Sequence, residues 1–220
     1  MATHPLLLGH RGVRGEKSIP ENSVASFDLA LAQGCDGFEF DVRLSVDGQA
    51  IICHDAASHG REIASCPAEQ LALPSLRDVL TRYQSNAFLD IELKVPGLEN
   101  VALDLLRMFR PARGFVVSSF LPAVLRGVYD LDATIPLGLI CETRPELILW
   151  TELPVEYVIP QYQLLRQDLI AELKDAGRKI FVWTVNEPAD MRRFSDAGVD
   201  GIISDNPKKL LSIWLRENRT

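Results

Sequence analysis

Residues 37–54 read GFEFDVRLSVDGQAIICH, and this stretch carries the two signals that decide the fold. In its apolar first half, Glu39 and Asp41 are spaced two apart, so on a strand both side chains lie on one face. Its second half places Asp47-Gly48 between two apolar runs, which is a strong hairpin signal. We therefore predict a strand that folds back on itself and returns His54 to the level of the two carboxylates.

Strand-length apolar runs alternate with segments of helical period from one end of the chain to the other. The runs are nearly continuous in apolar character, as expected for parallel strands covered on both faces. The predicted strands are Leu6–Gly9, Gly37–Arg43, Ala87–Leu93, Phe115–Ser118, Pro136–Ile140, Glu156–Ile159, Lys179–Val185 and Asp200–Ser204. The predicted helices are Ser23–Gln33, Leu76–Gln84, Glu99–Phe109, Pro122–Tyr129, Pro145–Thr151, Arg166–Asp175, Pro188–Asp196 and Lys208–Arg216.

Strand–helix units repeated along one uninterrupted chain favour an α/β architecture, namely a (β/α)₈ TIM barrel with a β-hairpin extension after strand 2. The length of 220 residues is normal for one such barrel, and no linker divides the chain, so we predict a single domain over residues 1–220. The alternative is an open doubly wound sheet, which usually has a glycine-rich first turn. Gly12 and Gly15 follow the first strand without the third glycine of that fingerprint, so a nucleotide site is weakly supported.

Composition and charge limit the function further. The formal net charge of −7 argues against a general nucleic-acid or anionic-membrane surface, because both need a positive field. The four cysteines show neither zinc-ligand spacing nor a disulfide framework, so we predict free thiols in a reducing cytoplasm. We see no signal peptide and no apolar run near the roughly 18 residues of a membrane span. We expect a cytoplasmic protein and leave its oligomeric state open.

Acidic side chains collect at the ends of predicted neighbouring strands. Glu39, Asp41 and Glu92 offer the oxygen donors that a hard divalent cation prefers. The alternative is that these carboxylates only form salt bridges with the nearby cations, Arg11, Arg43 and Lys94. We favour a metal site, because three carboxylates on apolar strands are costly to bury without a compensating cation.

Two histidines, two cations and one tryptophan complete the candidate site. Histidine as a residue type titrates near neutrality, so of His10 and His54 one can accept a proton while the other donates one; the alternative is that both are ordinary core histidines. Arg11 can hold a phosphate through two hydrogen bonds and Lys94 can act as a point charge, or both can neutralise the carboxylates. Trp183 either packs in the core or lines the alcohol side of a substrate pocket. The set predicts metal-assisted phosphodiester chemistry.

The chain closely resembles the glycerophosphodiester phosphodiesterase family in a series of short stretches. They run in family order over nearly the whole chain, which makes the set far more specific than any one of them. The matching stretches are His10-Arg11-Gly12, Pro20-Glu21-Asn22-Ser23, Glu39-Phe40-Asp41-Val42, Asp47-Gly48, His54-Asp55, Pro74-Ser75-Leu76, Ile91-Glu92-Leu93-Lys94, Ser118-Ser119-Phe120, Val182-Trp183-Thr184-Val185-Asn186 and Gly201-Ile202-Ile203-Ser204-Asp205-Asn206-Pro207.

The resemblance implies a barrel with a hairpin-extended second strand and assigns roles to the candidate residues. The three carboxylates would hold Mg²⁺ or Ca²⁺, the two histidines would form the acid/base pair, and Arg11 and Lys94 would contact phosphate. The implied reaction splits a glycerophosphodiester into glycerol 3-phosphate and an alcohol such as choline or ethanolamine. In the mechanism usually proposed for similar enzymes, the glycerol 2-hydroxyl attacks phosphorus and a cyclic phosphate is then hydrolysed.

Three other functions stay open at this point. One is a lysophospholipase D-like enzyme, which would need an exposed apolar rim or an anchor. Another is a phosphate- or metal-binding barrel that has lost catalysis, although both histidines are present. The third is a phospholipase C-like enzyme acting on inositol lipids.

Two local features have structural or specificity interpretations. Glu21-Asn22 is interpreted as a helix start, with Asn22 as the N-cap. Residues 56–63 are shorter than the segment that family members commonly carry after the second histidine, and they lack its Leu-x-Arg-Thr-like stretch. Because such loops line the mouth of a barrel, we expect this segment to affect substrate range.

Overall fold

The computed structural model describes residues 4–209 and 211–212. Its strands are β1 (Leu6–His10), β2 (Gly37–Leu44), β3 (Ala50–Ile52), β4 (Ala57–Ser58), β5 (Arg61–Glu62), β6 (Phe88–Leu93), β7 (Phe115–Ser119), β8 (Leu137–Cys141), β9 (Tyr157–Pro160), β10 (Lys179–Val182) and β11 (Gly201–Ser204). Its helices are α1 (Val24–Ala32), α2 (Leu76–Tyr83), α3 (Glu99–Met108), α4 (Pro122–Leu131), α5 (Arg144–Ile148), α6 (Gln167–Asp175) and α7 (Pro188–Asp196).

The parallel strands close on themselves. Going round the sheet, each strand pairs in parallel with the next in the order β1, β2, β6, β7, β8, β9, β10, β11. The ring is completed where β11 pairs in parallel with β1, with Leu8 opposite Ile203. Helices α1 to α7 connect successive barrel strands, so the prediction of a (β/α)₈ barrel is confirmed.

The predicted hairpin extends the second barrel strand. β3 runs antiparallel to the end of β2, with Val42 opposite Ile52 and Leu44 opposite Ala50. Gly48 has φ +77° in the turn, where glycine pays no steric penalty, and open space surrounds it. The chain leaves β3 pointing back toward the barrel, and His54 follows two residues later.

Apolar side chains fill one end of the barrel interior and leave the other end for polar groups. The interior cluster contains Leu8, Phe88, Val116, Tyr157 and Phe181, all of them buried. A larger cluster packs between the strands and the surrounding helices, and the Phe27 and Phe38 rings stack there with centroids 4.2 Å apart. Polar side chains therefore gather at the carboxyl ends of the strands, where barrel enzymes place their reactive groups.

The start of the first helix differs from the prediction. Ser23, not Asn22, is the N-cap of α1, since its side chain accepts a hydrogen bond from the Ser26 backbone N–H. Asn22 has φ +54°, a left-handed conformation that asparagine tolerates better than most residues. The Asn22 side chain does not cap the helix. The prediction that Glu21-Asn22 forms the helix start, with Asn22 as the N-cap, is therefore wrong.

The later elements differ from prediction mainly at their ends. β10 stops at Val182, three residues before the predicted end at Val185, although Val185 N–H still donates to the Ile203 carbonyl of β11. The helix predicted after β8 is α5 followed by a 3₁₀ turn over Leu149–Thr151. The last predicted helix, Lys208–Arg216, is helical at 207–209 and 211–212, and its remainder lies outside the described residues.

The cysteine prediction is confirmed: Cys35, Cys53, Cys66 and Cys141 are all free thiols. Burial raises the pKa of Cys35 and of Cys141 to about 12, which makes both thiols unreactive near neutral pH. None of the described helices has the length and apolarity needed to cross a bilayer.

Replacing Gly37 with alanine is expected to lower the free energy of unfolding by about 3 kcal/mol. A Cβ at this β2 position would collide with the Phe88 carbonyl group of the neighbouring strand, and backbone cannot yield as a side chain does. Urea denaturation measures the change. In the control Gly127→Ala, in the middle of α4, the new methyl group lies 3.3 Å from Cγ of the flexible Glu99 side chain, which can move aside, so we expect a small gain in helix stability. Equal stability of the two variants would contradict the predicted close approach.

Candidate active site

A cavity of about 330 Å³ opens at the carboxyl ends of the barrel strands. It has two halves, which we name by their lining. The charged half is formed by residues from β1, β2, β6 and the segment after β3, namely His10, Arg11, Glu39, His54, Asp90, Glu92 and Lys94. The apolar half is formed by residues at β8, β9, β11 and the ends of β7 and β10, namely Phe120, Ile140, Ile159, Trp183 and Ile203, with Glu142 at its edge.

Strand register brings the predicted carboxylates together. Glu39 and Asp41 point to the same face of β2, and Asp41 lies opposite Glu92 on β6. Ligand atoms of these three residues all lie within 4.8 Å of one another, and all three side chains are buried. Asp90 lies opposite Glu39 in the same register and is also fully buried, so a fourth carboxylate adjoins the predicted trio.

Two cations contact this group of carboxylates. Lys94 Nζ lies 2.8 Å from Glu92 Oε1 and 3.2 Å from Asp41 Oδ1. Arg11 Nε lies 3.2 Å from Asp41 Oδ2. Arg11 and Lys94 therefore form the salt bridges that were considered as an alternative to a metal site. The charged half nevertheless contains more carboxylates than cations.

The pKa shifts show that the buried carboxylates repel one another. Burial and the Asp41 charge raise the pKa of Glu39 well above its ordinary range and that of Glu92 to about 8. Burial also raises the pKa of Asp90 to about 7. For Asp41, burial favours the neutral acid, but Lys94 and Arg11 outweigh it and lower the pKa. A further cation would relieve this repulsion.

The donor set fits a hard divalent ion. Glu39, Asp41 and Glu92 offer carboxylate oxygens alone, which suits Mg²⁺ or Ca²⁺ better than a thiophilic metal. Asp41 Oδ1 is buried and accepts no hydrogen bond from the described residues, although it faces Lys94. These residues thus have both the geometry and the unmet negative charge of a cation site.

His10 is held in one orientation by a carboxylate that sequence analysis gave no role. Its Nδ1 lies 2.7 Å from Asp205 Oδ1, and its Nε2 faces the carboxylates, 3.8 Å from Glu39 Oε2. Because Asp205 can only accept at Nδ1, the neutral ring carries its proton there and leaves Nε2 free to take a proton. Burial lowers the pKa of His10, which favours this neutral form.

Asp205 is itself fixed by neighbours at the end of β11. Asn186 Nδ2 donates to Asp205 Oδ2 at 2.7 Å, and Arg14 Nη1 lies 3.5 Å from Asp205 Oδ1. Burial alone would raise the pKa of Asp205, but the hydrogen bond and charge of His10, together with Asn186 and Arg14, outweigh it and lower the pKa to about 2. Its signal in the sequence was a carboxylate directly after a predicted barrel strand, the same signal that identified the other site residues.

Glu21 and Asn22 also belong to the site rather than to a helix start. Glu21 Oε1 accepts a hydrogen bond from Arg11 Nη1 at 2.7 Å. Asn22 Nδ2 donates to Asp41 Oδ2 at 2.8 Å, so it orients one of the candidate metal ligands. Asn22 makes its contact from a left-handed backbone, which helix-cap patterns do not reveal.

His54 reaches the cavity from the hairpin, as the Asp47-Gly48 turn predicts. Its ring lines the charged half, and its Nδ1 lies 2.8 Å from Asp55 Oδ1. Arg43, considered above as a partner of the carboxylates, donates through Nε to the His54 carbonyl at 2.8 Å instead. Arg43 thereby ties the return leg of the hairpin to β2 and helps to place the histidine.

Trp183 lines the apolar half of the cavity. Of the two alternatives for this residue, a position in the pocket wall therefore fits better than packing in the core alone. Its Nε1 donates to the Ile159 carbonyl at 2.9 Å, which fixes the indole. The Phe120 ring meets it edge to face with centroids 5.7 Å apart. The two aromatic rings therefore form one wall of the apolar half.

The chain matches the model of the glycerophosphoryl diester phosphodiesterase family over residues 10–103 and 61–209. It is 30% identical to a glycerophosphodiester phosphodiesterase of Caldanaerobacter subterraneus subsp. tengcongensis, covering 94% of this chain and 97% of that protein. It is 25% identical to a Bacillus subtilis protein of the same name, covering 92% and 84%.

Solved structures are similar over their whole length. A glycerophosphodiester phosphodiesterase from Parabacteroides distasonis superposes with a TM-score of 0.86 at 26% identity, covering all of both chains. A phosphodiesterase from Oleispira antarctica, solved with the product sn-glycerol 3-phosphate, superposes with a TM-score of 0.84 at 26% identity, covering 96% of this chain and 97% of that one. Together with the family match, these similarities show that the chain belongs to the glycerophosphoryl diester phosphodiesterase family.

Proposed function

We propose that this chain hydrolyses glycerophosphodiesters to glycerol 3-phosphate and an alcohol, in a reaction that needs a divalent metal ion. One observation carries the proposal: in a member of this family, two cations, two histidines and Glu39 and Glu92 of the carboxylate trio line a single barrel-mouth cavity, with Asp41 buried against them. The product complex of the Oleispira antarctica relative supports the same chemistry here.

In this proposal Glu39, Asp41 and Glu92 hold the ion, which we expect to be Mg²⁺ or Ca²⁺. Such an ion would stabilise negative charge on the phosphate oxygens as it develops. Arg11 and Lys94 line the same half of the cavity, so their side chains would bind the phosphate from the protein side. Trp183 would line the alcohol side of the bound substrate.

The two histidines would move the protons. His10 Nε2 accepts the proton of the attacking hydroxyl as a new oxygen–phosphorus bond forms, and His54 donates a proton to the alcohol oxygen as its bond to phosphorus breaks. If the attacking group is the glycerol 2-hydroxyl, the product is a cyclic phosphate. Water then opens the cyclic phosphate with the histidine roles reversed, His54 acting as base and His10 as acid.

The attacking group can be identified by following turnover with ³¹P NMR, which distinguishes a cyclic phosphate from substrate and product. We expect a cyclic phosphate to accumulate transiently during turnover at limiting metal concentration. Formation of glycerol 3-phosphate without any detectable cyclic species would contradict attack by the 2-hydroxyl and would point to attack by water.

The proposed function is tested by the products formed from glycerophosphocholine. We expect glycerol 3-phosphate and choline, identified by ³¹P NMR and a choline assay. Phosphocholine and glycerol would contradict the proposal, because they arise from breaking the other ester bond. Cleavage of lysophosphatidylcholine alone would favour the lysophospholipase D-like alternative, and binding of glycerol 3-phosphate without turnover would favour a barrel that has lost catalysis.

Replacing Asp205 with asparagine is expected to lower kcat roughly a hundredfold while KM changes little. The amide can donate a hydrogen bond to His10 Nδ1, which would place the ring proton on Nε2 and remove the base. Steady-state kinetics with glycerophosphocholine measures the effect. Asp168→Asn, at a side chain 76% exposed on α6, is the control and should leave both constants unchanged. An unchanged kcat in Asp205→Asn would show that Asp205 does not set the His10 tautomer.

We propose in addition that the chain acts in the cytoplasm as a single domain. The free state of all four cysteines supports a reducing compartment. The continuous ring of barrel strands from β1 to β11 supports one folding unit over the described residues.

A further inference from the structure

The two halves of the cavity differ in what they can bind. The charged half offers Arg11, Lys94 and the carboxylates to a phosphate, a metal ion and hydroxyl groups. The apolar half offers three isoleucines and two aromatic rings, which cannot satisfy the hydroxyl groups of a glycerol. A diester bound with its phosphate in the charged half would therefore direct its more apolar arm across the cavity.

Glu142 is the charged side chain that lines the apolar half. It follows β8 directly, and its backbone N–H donates to Glu146 Oε2 at 2.9 Å. This hydrogen bond holds the backbone at Glu142 in place. Glu146 and Thr143 form a capping box at the start of α5, so this loop is well anchored. The Glu142 carboxylate is exposed and has neither a hydrogen bond nor an ion pair with any described residue.

The cations of the cavity do not neutralise Glu142. Lys94 is 5.7 Å from the centre of the Phe120 ring, but its charge is paired with Glu92 and Asp41. The apolar half therefore combines an unpaired carboxylate with two aromatic rings, one of them held by the Trp183–Ile159 hydrogen bond. Carboxylates and aromatic faces are the groups that bind organic ammonium ions.

We infer that Glu142 determines substrate specificity, and that the enzyme prefers glycerophosphodiesters whose alcohol arm carries a positively charged ammonium group. The inference rests on the proposed function, since it names the substrate class of that same site. An ammonium alcohol suits the apolar half because its methylene and methyl groups pack against the isoleucines and Trp183. Its charge then faces the Glu142 carboxylate.

The test compares two substrates that differ in one atom. Glycerophosphocholine carries a quaternary nitrogen, and its 3,3-dimethylbutyl analogue replaces that nitrogen with carbon, which keeps the shape and removes the charge. We expect the wild type to hydrolyse glycerophosphocholine with a kcat/KM about five- to tenfold higher than that of the analogue. In Glu142→Gln the ratio of the two kcat/KM values should fall toward one. Only kcat/KM for glycerophosphocholine should decrease, and that for the uncharged analogue should not change.

Two further variants complete the design. Glu142→Lys should bring the ratio below one, because it places a positive charge against the ammonium group. Glu152→Gln changes an exposed glutamate in the loop before β9, remote from the cavity lining, and should keep the wild-type ratio.

The outcomes separate the two proposals. Hydrolysis of both substrates at equal kcat/KM by the wild type, or an unchanged ratio in Glu142→Gln, overturns the inference about Glu142 and leaves the proposed function standing. Failure to hydrolyse either substrate overturns the proposed function and this inference with it.

Discussion

Replacing His54 with alanine is expected to lower kcat for glycerophosphocholine about a thousandfold while the fold is retained. His54 would donate the proton that the departing alcohol oxygen requires, and no other described imidazole besides His10 lines the cavity. The variant should fold because the His54 side chain is 34% exposed and its ring bonds, among the described residues, only to the neighbouring Asp55. The bond from Arg43 goes to the His54 carbonyl and survives the substitution.

Initial rates and circular dichroism together measure this effect. The matched control is His59→Asn, at an exposed position with φ +50° that asparagine tolerates. His59 lies outside the cavity lining, so the control should keep wild-type kcat. A His54→Ala enzyme with kcat within about tenfold of wild type would exclude His54 as the proton donor.

Replacing Glu92 with glutamine is expected to abolish the stabilisation by metal and to lower kcat about a thousandfold. For the wild type, Mg²⁺ or Ca²⁺ at about 100 times its Kd should add about 2.7 kcal/mol to the free energy of unfolding, or roughly 5–10 °C in Tm. Glu92→Gln should show almost none of this rise, because one of the three carboxylates that hold the ion becomes an amide.

The metal-free variant should be as stable as the metal-free wild type. Burial and the Asp41 charge raise the pKa of Glu92 to about 8, so the amide replaces a carboxylate whose ionisation in the folded chain is unfavourable. Differential scanning fluorimetry with and without metal measures both quantities. Glu172→Gln, on the exposed side of α6, is the control and should keep the full metal-dependent rise. An equal rise in Glu92→Gln would place the ion elsewhere.

Local patterns were enough to predict the barrel and most of the site. The spacing of Glu39 and Asp41 on β2 and the Asp47-Gly48 turn placed the carboxylates and His54 together, because both signals act over a few residues. Residues two apart on a strand point to the same face, and this rule applies to β6 as well. It predicts that Asp90 joins the candidate site, because Asp90 stands two residues before Glu92. Asp90 is therefore predictable from the sequence by the same short-range pattern.

The remaining partners depend on long-range geometry. Asp205 meets His10 across 195 residues of chain, a contact that exists only because β11 closes the ring against β1. The Asn22 contact to Asp41 needs a left-handed backbone that no local propensity specifies. These residues orient the groups that sequence analysis identified; the contact of Asp205 follows from barrel closure, and that of Asn22 from the backbone turn between β1 and α1.

The central claim is that the strand-end cluster binds a divalent ion and uses it to cleave glycerophosphodiesters. Removal and return of the metal tests this claim most directly, with ³¹P NMR following glycerophosphocholine in one sample. The account predicts that glycerol 3-phosphate forms with Mg²⁺ or Ca²⁺, stops forming in excess chelator and resumes when the metal is restored. Undiminished formation of glycerol 3-phosphate by the fully chelated enzyme would contradict it.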